Sequence, residues 1–259
     1  SDFVTVVLGG RGDFWKSEPR DSTSPTHSVN FFSPRISAAW QSAPNLTLRA
    51  SAYRSYRTPT LNELHRGFRV GSVVTNPNPL LEPERLTGME GGVLMANGRM
   101  STRVTGFLNY LDDAIANITL DVTPKLTTRQ RQNAGRIRAT GIEIETDIRP
   151  IPELTVNALA AFTTSRFRDA PSLPNLRGNR VPQVPRYQFG AGVGYTDPKT
   201  LTLSAQFRIV GEQFDDDLNE RRLDNYTIVD IQASRVIARG VHAFIGCENI
   251  LDVEYDIGL

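Results

Sequence analysis

Apolar and polar residues alternate along most of the chain with a period of two. In Leu201–Glu212, Leu201, Leu203, Ala205, Phe207 and Ile209 share one face. Thr202, Ser204, Gln206, Arg208 and Glu212 share the other, and Val210 alone breaks the pattern. Tyr187, Phe189, Ala191, Val193 and Tyr195 alternate with Gln188, Gly190, Gly192, Gly194 and Thr196. Leu154, Val156, Ala158, Ala160 and Phe162 alternate in the same way, as do Ile142, Ile144 and Ile148 against Glu143, Glu145 and Asp147. Successive side chains of a strand point to opposite faces, so each segment is predicted to be a strand with one apolar and one polar face. No segment carries a sustained apolar stripe of helical period. The predicted strands are 2–15, 29–41, 46–57, 86–96, 99–111, 135–149, 154–168, 186–196, 201–213, 224–237 and 240–250.

The connections alternate in length. Ser42–Asn45, Asn97–Gly98, Pro150–Glu153, Asp197–Thr200 and Ala238–Arg239 are short, and Asn-Gly and Asp-Pro are turn signals. The others, near 16–28, 58–85, 112–134, 169–185 and 214–223, are long. A soluble sandwich has no reason to keep its short turns at one end. A membrane barrel does, with short periplasmic turns, long extracellular loops and tilted strands of about ten residues. Tyr187 and Tyr195 bracket one strand, and Trp40, Tyr56, Tyr110 and Phe214 lie near other strand ends, as aromatic girdles require. Aromatics also favour strands in general. Alternation alone leaves open whether the apolar face meets lipid or a protein core.

Composition narrows the classes. With 29 Lys+Arg against 28 Asp+Glu, the 259-residue chain lacks the basic excess of a general nucleic-acid binder. At 39% apolar and 22% charged residues it is neither a disordered polyelectrolyte nor a helical membrane protein. No run approaches the roughly 18 apolar residues of a spanning helix. One cysteine, Cys247, excludes an internal disulfide; its alternation with Val241, Ala243 and Ile245 puts it on the apolar face. There is no initiator Met and no signal peptide, so a processed chain or a fragment is expected.

Individual features carry limited chemistry. Pro34, Pro59, Pro77, Pro79 and Pro83 are expected in loops or near strand ends. Gly190, Gly192 and Gly194 have no following helix, so they are read as strand glycines that leave interior room. Asp215-Asp216-Asp217 lacks calcium-loop spacing and is expected at an exposed loop tip. His27, His65 and His242 share no ligand spacing; no metal, cofactor or nucleophile–base set is assigned. Of the 29 basic residues all but three are Arg. Guanidinium groups on polar faces can hold carboxylates or phosphates in a fork; Arg49, Arg57, Arg208 and Arg235 are placed there. They can equally pair with Glu143, Glu145 and Asp147.

Several segments together resemble the barrel of a TonB-dependent outer-membrane receptor. They are Phe32–Trp40 with Leu46–Tyr53, Tyr56-Arg-Thr-Pro-Thr-Leu-Asn-Glu-Leu64 and Asn76-Pro-Asn-Pro-Leu-Leu-Glu-Pro-Glu84. Asn133-Ala-Gly-Arg-Ile-Arg-Ala-Thr-Gly-Ile-Glu-Ile-Glu145, Arg180-Val-Pro-Gln-Val-Pro185 and Glu248-Asn-Ile-Leu-Asp252 continue the series in family order. The resemblance implies an all-β fold, a partial antiparallel transmembrane β-barrel holding about 11 of roughly 22 strands. Residues 1–259 would form the C-terminal part of that barrel, the N-terminal plug domain and closing strand being absent. It further implies a receptor and not an enzyme, in the Gram-negative outer membrane. That receptor would take up a ferric siderophore, cobalamin or similar large chelate, energised by the TonB–ExbB–ExbD complex acting on the plug. In this family binding falls on extracellular loops and the plug apex. The candidate substrate contacts, in the lumen or the extracellular loops, are Arg49, Arg57, Asn62, Phe68, Arg69 and Arg208. A passive porin, or a soluble all-β binding or adhesion module, remains the alternative.

Overall fold

The computed structural model describes residues 3–18, 25–197, 199 and 201–258. Asp2 of the first predicted strand, part of the predicted 16–28 connection, and Pro198 and Thr200 of the Asp197–Thr200 turn lie outside the described residues. In chain order the elements begin with β1 (Phe3–Ser17), β2 (His27–Ala43), β3 (Leu46–Arg57) and the helix α1 (Leu61–His65). There follow β4 (Phe68–Val70), β5 (Val73–Asn76), β6 (Glu84–Ala96), β7 (Met100–Asp112), β8 (Ile115–Val122) and β9 (Thr127–Asn133). Next come β10 (Arg136–Ile151), β11 (Leu154–Asp169), β12 (Tyr187–Thr196) and β13 (Thr202–Val210). The last are β14 (Gln213–Phe214), β15 (Arg222–Leu223), β16 (Tyr226–Ala238) and β17 (Val241–Cys247).

All eleven predicted strands exist and form one sheet in the order β1-β2-β3-β6-β7-β10-β11-β12-β13-β16-β17. Neighbours are antiparallel throughout, and among the described residues the sheet does not close on itself. Register keeps the two faces separate across the sheet. Val4, Trp40, Leu48, Val93, Val104, Ile144, Ala160, Phe189 and Ile209 form one continuous row. Arg49, Gly92, Thr105, Glu143, Ala161 and Gln188 form a row on the opposite face. The apolar face is not sealed in a core: Phe207 is 39% exposed and Leu203 45%. A soluble sandwich would bury these residues; a barrel wall turns them to lipid.

The sheet corrects three expectations. Pro34 lies inside β2, opposite Gly10, rather than near a strand end. Pairing with β3 stops next to it at Arg35, so the missing N–H falls where β2 has a partner on one side only. Arg235 is on the apolar face, because its partner Ala243 shares that face with Ile245 and Cys247. Phe214 belongs to no girdle; it sits in the short β14 beneath the Arg180 guanidinium, 5.2 Å from its carbon to the ring centre.

The buried apolar residues are concentrated at the loop end. Ala114, Ile118, Ala134, Ile137, Phe167, Ala170 and Leu176 pack together there, flanked by Leu111, Leu173, Val181 and Leu218. They come from three successive long connections and the strand ends between them. The buried apolar residues that lie in wall strands, Ile137, Phe167, Val210 and Ile228, all sit at the loop ends of β10, β11, β13 and β16.

Candidate functional site

The long connections fold into one cap over the loop end of the sheet. Thr60 starts α1, and its hydroxyl oxygen accepts from the Glu63 N–H at 3.2 Å while the Glu63 carboxylate accepts from the Thr60 N–H at 2.7 Å. This reciprocal capping satisfies two N–H groups that a five-residue helix cannot satisfy internally. Arg57, at the end of β3, ties the helix to the wall through Glu63 at 2.9 Å and through Glu84. Glu84 is buried, and its second oxygen accepts from the Ile115 N–H at 2.6 Å, the first residue of β8. Burial pushes the Glu63 carboxyl up, but the Arg57 fork and the two Thr60 donors outweigh it and hold the group below its ordinary range.

A second sheet of four strands, ordered β4-β5-β9-β8, joins the connection after β3 to the one after β7. β5 and β9 pair in parallel, from Val73 with Thr127 to Asn76 with Gln130. Motif residues act as its fasteners. The Asn78 amide donates to the Arg131 carbonyl at 3.0 Å. The Asn133 amide donates to the carbonyls of Glu82 at 2.9 Å and Asp113 at 2.7 Å, while its oxygen accepts from the Glu82 N–H. Gly135 has φ +79°, and a Cβ there would stand 2.1 Å from the Asp169 carbonyl oxygen, so only glycine lets β10 start this close to the end of β11.

The acidic run is not the exposed loop tip that its composition suggested. Asp215, Asp216 and Asp217 are all buried. Asp215 pairs with Arg129 at 3.4 Å and Arg221 at 3.3 Å. Asp216 accepts the N–H groups of Glu220 and Arg221 and closes its own turn. Asp217 accepts the N–H and hydroxyl of Thr119 in β8. Each carboxylate replaces lost hydration with donors: Asp216 within its own turn, Asp215 and Asp217 from the connection after β7 as well. Arg180 joins the same knot through Glu212 at 3.3 Å; burial first and the like charge of Arg186 second lower its basicity.

The polar face of the wall carries a cavity of about 500 Å³ lined by Arg35, Arg49, Ser51, Glu90, Arg103 and Thr105 among others. Tyr53 donates to Glu90 at 2.8 Å, and Arg103 pairs with Glu145 at 2.7 Å. Among the described residues, Arg49 and Arg208 have no carboxylate partner. Both are exposed on the polar face, Arg49 opposite Gly92 and Arg208 opposite Gly190, and they stand six strands apart. The remaining candidates sit in the cap. Arg57 is saturated by two carboxylates. Asn62 offers its carbonyl to Arg131 at 2.7 Å, whose guanidinium lies 5.1 Å above the Phe68 ring. Arg69 bonds to the Gly71 carbonyl at 2.8 Å and is exposed, as is Phe68. Sequence reasoning missed Arg131, which connects Asn62 and Phe68; it lies in the polar run Thr127–Asn133, which shows no alternation.

Residues 1–250 match the TonB dependent receptor-like β-barrel family. The chain belongs to that family. TonB-dependent receptors are transport receptors of the Gram-negative outer membrane and not enzymes, so the long connections are extracellular, the short turns periplasmic and the apolar face lipid-facing. The ferrichrome outer membrane transporter/phage receptor of Escherichia coli (strain K12) is 30% identical over 266 residues, covering 98% of this chain and 33% of that protein. The ferrioxamine B receptor of Salmonella typhimurium is 31% identical over 150 residues, covering 54% of this chain and 21% of that protein. Thus the chain spans a third or less of the length of these relatives. Among solved structures, the siderophore receptor PiuA from Acinetobacter baumannii superposes with a TM-score of 0.75 at 17% identity, covering 98% of this chain and 38% of that one. Copper transporter OprC gives 0.75 at 17%, covering 97% and 40%. At that identity the structures speak for the fold alone.

Proposed function

We propose that this chain is the wall and extracellular cap of a receptor for TonB-energised uptake of a ferric siderophore. The cap carries the reading. Connections after β3, β7, β11 and β13 are bound to each other by strand pairing, amide–carbonyl hydrogen bonds and the carboxylates of Asp215 and Asp217, which makes a preformed extracellular surface rather than independent loops. The loops of a porin only narrow its channel; a receptor needs a fixed recognition surface. Relatives named as ferrioxamine B and ferrichrome receptors support a ferric siderophore over cobalamin.

In this reading Phe68 and Arg69 meet the chelate at the cap, and Arg57 and Asn62 position that surface. Arg49 and Arg208, open to the lumen, hold anionic groups of the chelate as it passes. The energy-transducing partner is the TonB–ExbB–ExbD complex, acting on a plug within the whole receptor. The test is uptake of radiolabelled ferric siderophores by cells whose only such receptor is the whole protein. Uptake should saturate and stop when TonB is deleted. Linear, TonB-independent flux would instead establish a porin. Arg49→Gln and Arg208→Gln should raise the half-saturating concentration for an anionic ferric chelate and change stability by less than about 0.5 kcal/mol.

A further inference from the structure

Residues 65–70, from the end of α1 through β4, are exposed throughout. Within α1 only Leu64 is buried. Apolar packing therefore does little to fix the Phe68 ring. Its place must come from polar contacts and from the pairing of β4 with β5.

A single guanidinium supplies those contacts. Arg131 of β9 donates from one terminal nitrogen to the carbonyls of Asn62 at 2.7 Å and Arg66 at 3.3 Å. The last carbonyls of a helix have few N–H partners of their own, and an arginine near them satisfies them. Only Gly67 separates Arg66 from Phe68. The guanidinium carbon lies 5.1 Å above the Phe68 ring centre, and a cation over a ring face is attracted to it. One side chain thus pins the helix end and the ring together.

Arg131 is held in turn by the rest of the cap. Phe68, Thr75 and Arg129 share a register row across β4, β5 and β9, with Thr75 buried between the other two. Arg129 lies two residues before Arg131, on the same face of β9. Its ion pair with Asp215 anchors that strand to the connection after β13. The Arg131 carbonyl accepts from the Asn78 amide at 3.0 Å, a second tie to the connection after β3.

We propose that Arg131 is a positioning residue for recognition of the ferric siderophore: it presents the Phe68 ring to the chelate. The inference rests on the receptor reading above, in which Phe68 meets the chelate. Affinity then depends on Arg131 through Phe68, and the number of assembled receptors does not depend on it.

The test is uptake of radiolabelled iron by cells whose only siderophore receptor is the whole protein, with receptors at the surface counted in parallel. The iron is loaded on a panel of siderophores that includes ferrichrome and ferrioxamine B. Arg131→Gln should raise the half-saturating concentration about fivefold and leave the maximum rate per receptor unchanged. Phe68→Ala should raise it at least as much. The double variant should be no worse than Phe68→Ala alone, because the guanidinium then has no ring to present. Arg131→Lys keeps the charge, loses the planar fork and should behave as the Gln variant. Additive effects, an unchanged half-saturating concentration in Arg131→Gln, a fall in maximum rate alone, or wild-type behaviour of Arg131→Lys would overturn the role while leaving the receptor reading intact. Should the Gln variant fail to assemble, the Lys variant carries the same comparison. Absence of saturable uptake by the wild type would overturn the receptor reading and this role with it.

Discussion

The Asp217 carboxylate accepts both the N–H and the hydroxyl of Thr119, 98 residues earlier in the chain, at 3.1 and 2.6 Å. This contact joins the connection after β13 to β8. Asp217 also offers its own carbonyl to the Asn179 amide at 2.9 Å, so the connection after β11 is held at the same point.

Asp217→Ala should leave two donors of β8 unsatisfied in a buried site. The expected loss is about 1–3 kcal/mol, confined to the cap. Hydrogen exchange would show it as faster exchange over residues 115–122, with the strands of the wall unchanged. Uniform loosening of the wall as well would mean that cap and wall are one cooperative unit.

Glu63 predicts a pH effect. Its carboxyl titrates below its ordinary value in the folded chain, so its contribution is fully present above that ordinary value. The contribution is lost as pH falls through the lowered value. Protection of residues 60–66, corrected for intrinsic exchange, should therefore drop in acid, and Glu63→Gln should abolish the dependence.

Facing can be tested at neighbouring positions. Phe207→Arg places a charge on the lipid face and should cost about 2–4 kcal/mol when refolding into vesicles. Gln206→Arg turns the same charge to the lumen beside Asp230 and should be milder. Equal penalties would reverse the assignment of the faces.

Gly135→Ala should be more damaging than an ordinary loop change. It combines a left-handed backbone with a collision against the Asp169 carbonyl. The expected loss is about 1–3 kcal/mol, read as a lowered urea midpoint; an unchanged midpoint would show that β10 can start elsewhere.

The wall was legible because burial in two different media imposes a two-residue period that nothing else produces. Residues 201–210 alone announced their strand and its faces. Cap elements were not legible in the same way. β4 has three residues and β9, Thr127–Asn133, is polar throughout, so neither carries a period. The reciprocal cap of Thr60 and Glu63 was readable as a spacing and could have announced α1. The burial of Asp215–Asp217 was not, since two of the three carboxylates draw on residues of the connection after β7. Arg49 and Arg208 were found by alternation, whereas Arg235 was placed on the wrong face, a matter settled by its partner Ala243.

The knot around Asp217 has an evolutionary consequence. A connection that hydrogen-bonds to two others cannot be exchanged singly without orphaning groups in its neighbours. Grafting one loop from a sister protein should thus yield a misassembled entrance, while transplanting the whole set should carry recognition with it. Selectivity in this lineage would then change by concerted drift of the ensemble of loops, not by swapping modules one at a time.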